Sequence, residues 1–347
     1  MNEKEFRHPI QHSMLRRCRQ WDYRDPRIYM VTLTLADRRQ PLLGELVVTS
    51  PVGCSPEEVR AYLEPSPLGR KVQEFWNAIP QFHPEVRVIA LQLMEEHLHG
   101  ILRVTKRMPR PLGNVIGGFK CACTSAYREL FQLTGDHSLF SEGFQDTMLS
   151  RSGQYAKMKH YLFDNPRRGA VKRLFPDFFR QLRNIPFGEG SFTGIGNSFL
   201  LERPVFYQVQ ASRSIDDTTL ARLRQELLQA IAEQAVVVSP CISPAEQKLA
   251  RFAFDRQAPL IVLQNKGFAP LYKPPGEYFD ACAAGRLLML APSQWPFVPG
   301  KKPMTRWDAC VLNALAQQIC QENAAEIHYQ GVTPDNLNEL IFKAMRK

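Results

Sequence analysis

A dense apolar run extends from Val86 to Val104, with aliphatic and β-branched residues recurring throughout. Such a composition predicts a buried β-strand. Two histidines, His97 and His99, interrupt the run near its end. Side chains at positions i and i+2 of a strand share a face. The pattern therefore predicts two neighbouring imidazoles with Leu98 packed behind them.

A second pattern, from Gln154 to Gly169, predicts a helix. Pro166 disfavours helical geometry in the residue before it, so the helix is expected to end near Asn165. Tyr161 and Asn165 are four residues apart, and a helix would present both on one face. A phenol and an amide are thus expected side by side.

Strands alternate with helices in the C-terminal half, which predicts an α/β domain with a parallel, Rossmann-like sheet. Ser243 and Glu246 form the start signal of one of these helices. The expected strands cover 235–238, 259–263 and 286–291, and the expected helices cover 218–233, 244–256 and 305–321. Glycines cluster between 186 and 198, which predicts a linker there. The expected domains are therefore 1–185 and 199–347.

Positive charge is concentrated in the N-terminal half. The chain has a formal net charge of +10, with 44 Lys and Arg against 34 Asp and Glu. The first 185 residues hold 28 of these basic and 19 of the acidic residues, whereas the remainder is almost balanced. A basic excess on one half predicts an electrostatic footprint for nucleic-acid phosphates. The basic residues expected to bind DNA are Arg16, Arg17, Arg19, Lys120, Arg167 and Arg168.

The two motifs together suggest metal-assisted chemistry. Two neutral imidazoles provide half of a divalent-metal site, and Asn165 could add an amide oxygen. Tyr161 could attack a phosphodiester, although a tyrosine with its ordinary pKa of about 10 needs assistance. Each motif alone also fits a plain structural role: histidines on a solvated strand edge, or a buried helical tyrosine followed by a capping asparagine. Tyr155 is an alternative nucleophile, because Lys159 follows it by one helical turn.

The ordered set of motifs resembles a known family. His97-Leu98-His99 on a strand, followed by a helix with Tyr161-x-x-x-Asn165-Pro166, is similar to the single-tyrosine HUH transposases, most closely the REP-associated tyrosine transposases. The segments 28–35, 119–128 and 139–146 match flanking parts of that family in order. The resemblance covers about residues 15 to 180. It differs at Glu95-Glu96, where the family often has Pro-Asn, and at Arg167-Arg168, where it usually has Val-Lys.

The resemblance implies an α+β N-terminal domain, in which helices accompany an antiparallel sheet of ferredoxin or RRM-like type. It further implies that His97, His99 and Asn165 bind Mg²⁺ or Mn²⁺, and that Tyr161 forms a 5′-phosphotyrosine link. Zinc is the competing metal, but two histidines and an amide without cysteine are not typical of a closed structural zinc site. The implied partners are single-stranded or hairpin DNA and a second copy of the chain. Aromatic residues that could stack on bases are Trp21, Tyr23 and Phe119.

The C-terminal half is similar to the SLOG group of Rossmann-like domains, which includes the DNA-processing protein A family. The similarity rests on segments 239–246, 265–268 and 285–288. It implies ligand-binding loops at 239–243 and 265–276, with a helix N-terminus near Ser243 that could receive a phosphate. A silent domain that only packs or dimerises is the alternative.

Two function classes follow: a DNA strand transferase acting through Tyr161, and a domesticated DNA-binding protein that does not cut. A hydrolase of small phosphoesters is disfavoured by the basic surface. No apolar stretch resembles a signal peptide or a membrane span, and the eight cysteines lack a Cys-x-x-Cys pair. A cytoplasmic, nucleoid-associated protein with no membrane partner is expected.

Overall fold

A computed structural model of the chain describes residues 21–187, 190–270, 272–300 and 302–321. The chain divides into two compact units. Of the described residues, 21–54 and Glu58–Arg173 form the first, and Ser55–Glu57 and those from Leu174 onward form the second. Within the described residues, no helix is both long and apolar enough to cross a lipid bilayer.

In its described part, the first unit combines a four-stranded antiparallel sheet, a separate two-stranded sheet and three helices. In chain order its elements are β1 (Arg27–Thr34), β2 (Gly44–Val48), β3 (Ala61–Pro65), α1 (Pro67–Phe82), β4 (Val86–Leu93), β5 (His97–Val104), α2 (Leu112–Leu130), β6 (Gln145–Met148) and α3 (Gln154–Leu174). The strand order of the larger sheet is β4-β5-β1-β6, with every pair antiparallel. The expected α+β architecture with an antiparallel sheet is confirmed.

The larger sheet buries apolar side chains on both faces. Along β1, Tyr29, Val31 and Leu33 belong to the main core, which also contains Trp76 of α1 and Phe119 of α2. The alternate positions of β1 and β5 face the other way and meet α3 in a smaller cluster. This second cluster includes Met30, Ile101, Leu149 and Leu162, with Met158 and Tyr161 packed against it. Strand alternation therefore directs His97 and His99 towards the α3 side.

The prediction of one strand from Val86 to Val104 is wrong. The run forms two strands of a hairpin, β4 and β5, joined by the turn at 94–96. β5 is mostly buried and β4 is partly buried, and apolar residues continue from one strand into the other and conceal the turn. Within the turn, the Met94 amide donates to the His97 carbonyl at 2.8 Å. His97 and His99 consequently lie at the start of a strand, not at the end of one.

The second unit contains a six-stranded mixed sheet and four helices in its described part. Its elements are β7 (Gln181–Phe187), β8 (Gly190–Gly196), β9 (Phe206–Gln208), α4 (Asp217–Ala232), β10 (Val236–Ser239), α5 (Pro244–Asp255), β11 (Leu260–Leu263), α6 (Glu277–Ala283), β12 (Leu287–Pro292) and α7 (Arg306–Cys320). The strand order is β7-β8-β12-β11-β10-β9. Strands β9 to β12 are parallel, as the alternation of strands and helices predicts.

Two features of the second unit differ from the expectations. The expected linker at 186–198 contributes to the hairpin of β7 and β8, and β8 pairs antiparallel with β12. Its glycines fit this role: a Cβ at Gly194 or Gly196 would meet side-chain or backbone atoms of the neighbouring strands. The four parallel strands also follow one another in chain order, without the reversal of order of the doubly wound Rossmann arrangement.

Candidate active site

The two histidines lie side by side on β5. Their ring centroids are 4.9 Å apart, with the ring planes at 76° to each other. His97 is the Cα partner of Thr34, and His99 is the partner of Thr32, both on β1. Leu98 points into the main core and is fully buried. The strand thus presents both imidazoles on one face and anchors itself on the other.

His99 is held in a buried, neutral state. Burial, reinforced by the neighbouring His97, lowers the pKa of His99 to about 3. Its Nδ1 lies 2.8 Å from the Thr32 hydroxyl oxygen. Because that hydroxyl occupies Nδ1, the Nε2 atom is the ring nitrogen available to a metal ion or a substrate.

His97 is more accessible and faces an acidic group. Its Nδ1 lies 3.7 Å from a carboxylate oxygen of Glu96. The interaction with His97 lowers the pKa of Glu96, and the charge of Arg38 acts in the same direction. Arg38 is exposed and donates to the Thr34 hydroxyl at 3.4 Å. The His97 side of the site therefore combines one carboxylate with one guanidinium.

Tyr161 of α3 lies against the histidine pair within the same chain. Its ring centroid is 5.8 Å from that of His99, at an angle of 61°. The Arg168 guanidinium lies 5.6 Å from the centroid of the Tyr161 ring. Tyr161 is half-buried, so its ring is fixed by packing while remaining accessible. The structure thus brings the predicted nucleophile and the predicted histidines together.

Asn165 is buried one helical turn after Tyr161. Its amide nitrogen donates to the Tyr161 carbonyl at 2.9 Å and to the Leu162 carbonyl at 3.5 Å. Pro166 cannot bond to the Leu162 carbonyl because it has no N–H. The Asn165 amide partly replaces that missing donor, and α3 continues to Leu174. The expected helix end at Asn165 is therefore wrong.

The donor set suits a divalent cation. The imidazoles of His97 and His99 are acceptable ligands for Mn²⁺, and the Thr32 hydroxyl supplies the outer hydrogen bond that metal-binding histidines usually have. Among the described residues, no cluster of three or more His, Cys, Asp or Glu side chains has metal-binding geometry. A metal held here therefore needs Asn165, water or substrate oxygen to complete its coordination.

The basic residues predicted to bind DNA lie in different settings. Arg168 is buried and interacts with Asp164 at 3.9 Å as well as with the Tyr161 ring. Arg167 pairs with Asp164 at 2.6 and 2.9 Å. Lys120 donates to the Ser141 and Gly143 carbonyls, and burial lowers its pKa. Arg168 and Lys120 thus have structural contacts that a freely solvated DNA-binding residue would lack. The remaining candidates Arg16, Arg17 and Arg19 lie outside the described residues.

Some contributors to the site carry no sequence motif. Thr32 and Arg38 come from or follow β1, and only the strand register brings them to the histidines. Glu95 is buried and forms an ion pair with Arg173 near the end of α3. This pair ties the β4–β5 turn to the tyrosine helix. The Glu95-Glu96 sequence is visible as a departure from the family pattern, but only the structure shows that Arg173 and His97 are the partners of these carboxylates.

The alternative groups on α3 are more exposed. Tyr155 is 36% exposed and lies almost two helical turns before Tyr161. His160 is exposed next to Tyr161 in sequence. Of the aromatic residues proposed to stack on bases, Phe119 and Tyr23 are buried in the main core, and Trp21 donates to the Tyr29 hydroxyl at 2.8 Å. These three rings therefore mainly stabilise the fold.

In the second unit, the expected phosphate site at the start of α5 is occupied by a side chain of the protein. The Glu246 carboxylate accepts hydrogen bonds from the amides of Ala211, Ile242 and Ser243. Glu246 is buried, and it forms a capping box with Ser243. A negatively charged group already satisfies these donors, which disfavours a second anion at the same amides.

No family model matches the chain. An uncharacterised protein of Haemophilus influenzae is 20% identical in an alignment that covers 48% of this chain and 96% of the relative. Among solved structures, a REP-associated tyrosine transposase bound to a REP hairpin matches with a TM-score of 0.31 and 14% identity, over 43% of this chain and 72% of that one. A candidate transposase from Deinococcus radiodurans matches with a TM-score of 0.26 and 15% identity, over 43% of this chain and 96% of that one. Likeness at this level does not establish the function of this chain.

Proposed function

We propose that this protein cleaves and rejoins single-stranded or hairpin DNA through a covalent link to Tyr161. The observation that carries the proposal is the contact between the half-buried Tyr161 ring and His99, with ring centroids 5.8 Å apart in one chain. A plain core tyrosine would not need a histidine pair and an arginine beside its ring. The arrangement combines a nucleophile, candidate metal ligands and positive charge.

The proposed step exchanges one phosphodiester bond for another. The Tyr161 phenolic oxygen attacks the scissile phosphorus as its proton departs to solvent or a neighbouring base. The bond from phosphorus to the 3′ oxygen breaks, and that oxygen takes up a proton to become a free 3′-hydroxyl. The product is a 5′-phosphotyrosine, and attack by a 3′-hydroxyl reverses the step without an external energy source.

His97, His99 and Asn165 are the residues that would bind Mg²⁺ or Mn²⁺ in this proposal. When bound, the cation supplies charge stabilisation for the phosphate. The Thr32 hydroxyl, 2.8 Å from Nδ1, holds the His99 ring in one orientation. The Arg168 guanidinium, 5.6 Å from the centroid of the Tyr161 ring, adds positive charge beside the proposed nucleophile. Arg38 adds exposed positive charge beside His97.

Single-stranded or hairpin DNA is the proposed substrate because the scissile phosphate must reach a side chain that emerges between a helix and a sheet. An unpaired strand can follow such a cleft more easily than a stiff duplex. The basic N-terminal half supplies the sequence-independent attraction to phosphates. A homodimer is also proposed, although the contact of Tyr161 with His99 of its own chain means that a partner is not required to complete this pair.

The decisive experiment compares Tyr161→Phe with the wild-type protein. Wild-type protein incubated with hairpin oligonucleotides and Mn²⁺ is expected to give a covalent protein–DNA species on a denaturing gel. Tyr161→Phe should lose that species while it still binds DNA in a mobility-shift assay. Tyr155→Phe is the matched control and should retain the adduct, because Tyr155 is exposed on the same helix away from the histidines.

The opposite result would favour a DNA-binding protein that does not cut. In that case the wild-type protein would bind the same oligonucleotides and yield no adduct with either Mg²⁺ or Mn²⁺. A persistent adduct in Tyr161→Phe that disappears in Tyr155→Phe would instead transfer the nucleophilic role to Tyr155.

A further inference from the structure

A small polar pocket opens in the first unit beside the candidate active site. We propose that it binds one unpaired nucleobase of the substrate strand, adjacent to the phosphate that Tyr161 attacks. This inference rests on the proposed function. The pocket has a volume of about 270 Å³ and lies between β3, α1, β4 and α3. Four side chains in its wall carry the argument: Tyr62, Gln73, Gln92 and Phe163.

The position of the pocket links it to the reaction. Phe163 and Pro166 line the pocket from α3, the helix that also carries Tyr161, and Phe163 projects about 200° around that helix from Tyr161. On the opposite wall, Gln92 is the Cα cross-strand partner of His99. Cross-strand partners lie about 5 Å apart. A nucleotide whose phosphate meets Tyr161 and His99 therefore has its neighbouring base within reach of this pocket.

Two exposed aromatic rings line the pocket. Tyr62 is 48% exposed and Phe163 is 52% exposed, so both rings are accessible to a ligand in the pocket. Aromatic rings provide stacking surfaces for bases and tolerate any base identity. Both residues belong to the first unit, one on β3 and one on the tyrosine helix.

The polar groups of the wall match the edge of a base better than a phosphate. None of the described residues that line the pocket is charged. The half-buried Gln73 amide has no hydrogen-bond partner among the described residues, and the Gln92 amide nitrogen donates to the Leu93 carbonyl at 2.9 Å. Amide side chains both donate and accept, as base edges do. Among the described strands, β4 is also the outermost of its sheet, so its outer edge adds backbone polar groups.

Size restricts the occupant further. Pockets for drug-sized ligands usually exceed about 300 Å³, and this one falls just below that range. This space suits a single flat ring system, whereas a stacked base pair with its backbone would not fit. The pocket thus selects an unpaired nucleotide at one fixed distance from the scissile phosphate.

The test is a scan of abasic sites in the Tyr161→Phe protein, which needs no cleavage. Labelled oligonucleotides that each lack one base are titrated, and affinity is measured by fluorescence anisotropy. At one position near the cleavage site, loss of the base is expected to weaken binding about tenfold, in the range of stacking on one aromatic ring. The combined Tyr62→Ala and Phe163→Ala changes should weaken binding of the intact strand by a similar factor and abolish the dependence at that position.

Phe82→Ala is the matched control. Phe82 is 76% exposed at the end of α1 and does not line the pocket, so its variant should keep the positional dependence. Circular dichroism verifies that each variant is folded, and Gln73→Ala gives a milder variant if the double change unfolds the protein. If every abasic site weakened binding equally, both with and without Tyr62 and Phe163, the proposal that the pocket binds a base would be wrong. An adduct formed by wild-type protein alongside that result would leave the proposed function standing. If wild-type protein formed no adduct but binding still depended on the position of the abasic site, only the proposed function would be wrong.

Discussion

The two ring nitrogens of His99 have different roles in the structure. Nδ1 meets the Thr32 hydroxyl, and burial beside His97 keeps the imidazole neutral by lowering its pKa to about 3. A neutral imidazole is the form that binds a metal. If Nδ1 carries the hydrogen and donates it to Thr32, the lone pair resides on Nε2. One hydroxyl on the neighbouring strand thus determines which nitrogen can act as a ligand.

This arrangement predicts the effect of Thr32→Val, which removes the hydroxyl with little change in shape. We expect Mn²⁺ affinity to fall by about 10- to 100-fold, the usual consequence of losing an outer-shell partner of a metal-binding histidine. Isothermal titration calorimetry with Mn²⁺ measures the change. Thr34→Val is the control, because Thr34 is the cross-strand partner of His97 and its hydroxyl accepts from Arg38 instead. Equal losses in both variants would contradict a specific role of Thr32.

The sequence predicts the residues of the site better than their surroundings. His97, His99 and Tyr161 come together because strand and helix periodicity already assign each of them to a face. Burial is different, since it depends on contacts distant in the chain. The sequence suggests that Arg168 and Lys120 are surface charges. In the fold, Arg168 lies near the Tyr161 ring, and Lys120 donates to two backbone carbonyls. Thr32 could be found only from the register of β1 against β5.

At the level of the element, the position of β5 depends on a glycine directly after the histidines. Gly100 is buried, and a Cβ built there would collide with the ring of Trp76. Trp76 is fully buried and packs edge-on against Phe119, with ring centroids 5.1 Å apart. The strand carrying the two histidines can therefore approach α1 closely only without a side chain at this position.

Gly100→Ala is expected to destabilise the protein by about 1–3 kcal/mol, the usual cost of inserting a methyl group into a well-packed core. Gly118→Ala is the opposite control. It lies in α2, where an added Cβ meets nothing within 4 Å, so the better helix propensity of alanine should stabilise by roughly 1 kcal/mol. Urea unfolding followed by circular dichroism measures both. A stable Gly100→Ala protein would show that Trp76 can move aside.

Elements were predictable where periodicity and caps agree, as in α5 with its capping box at Ser243 and Glu246. They were not predictable where one feature hides another. Continuous apolar composition concealed the turn between β4 and β5. In α3, Pro166 indicates a helix end, but Asn165 donates to the carbonyls of Tyr161 and Leu162 and so offsets part of the lost hydrogen bonding. A local rule fails there because a neighbouring side chain supplies the missing donor.

For the whole molecule, the point of division is the main difference from the sequence-based expectation. Glycine content suggests a linker at 186–198, whereas the second unit already begins at Leu174. Phe179 is buried and stacks on Phe279 with ring centroids 4.4 Å apart. The Phe179 carbonyl also accepts a hydrogen bond from Lys273 at 3.1 Å. Residues before the expected linker are thus part of the packing of the second unit.

These contacts predict that a fragment of residues 174–347 folds cooperatively and that a fragment of 199–347 does not. The shorter fragment lacks β7 and β8, so β12 loses its antiparallel partner and presents an unpaired, apolar edge that favours aggregation. It also loses Phe192 from the core, a deletion that by itself costs about 3–5 kcal/mol. Thermal unfolding by circular dichroism and size-exclusion chromatography compare the two fragments. If the shorter fragment were monomeric and melted at the same temperature, the second unit would not need the β7–β8 hairpin to fold. The domain boundary would then lie near residue 186, as the glycine content suggests.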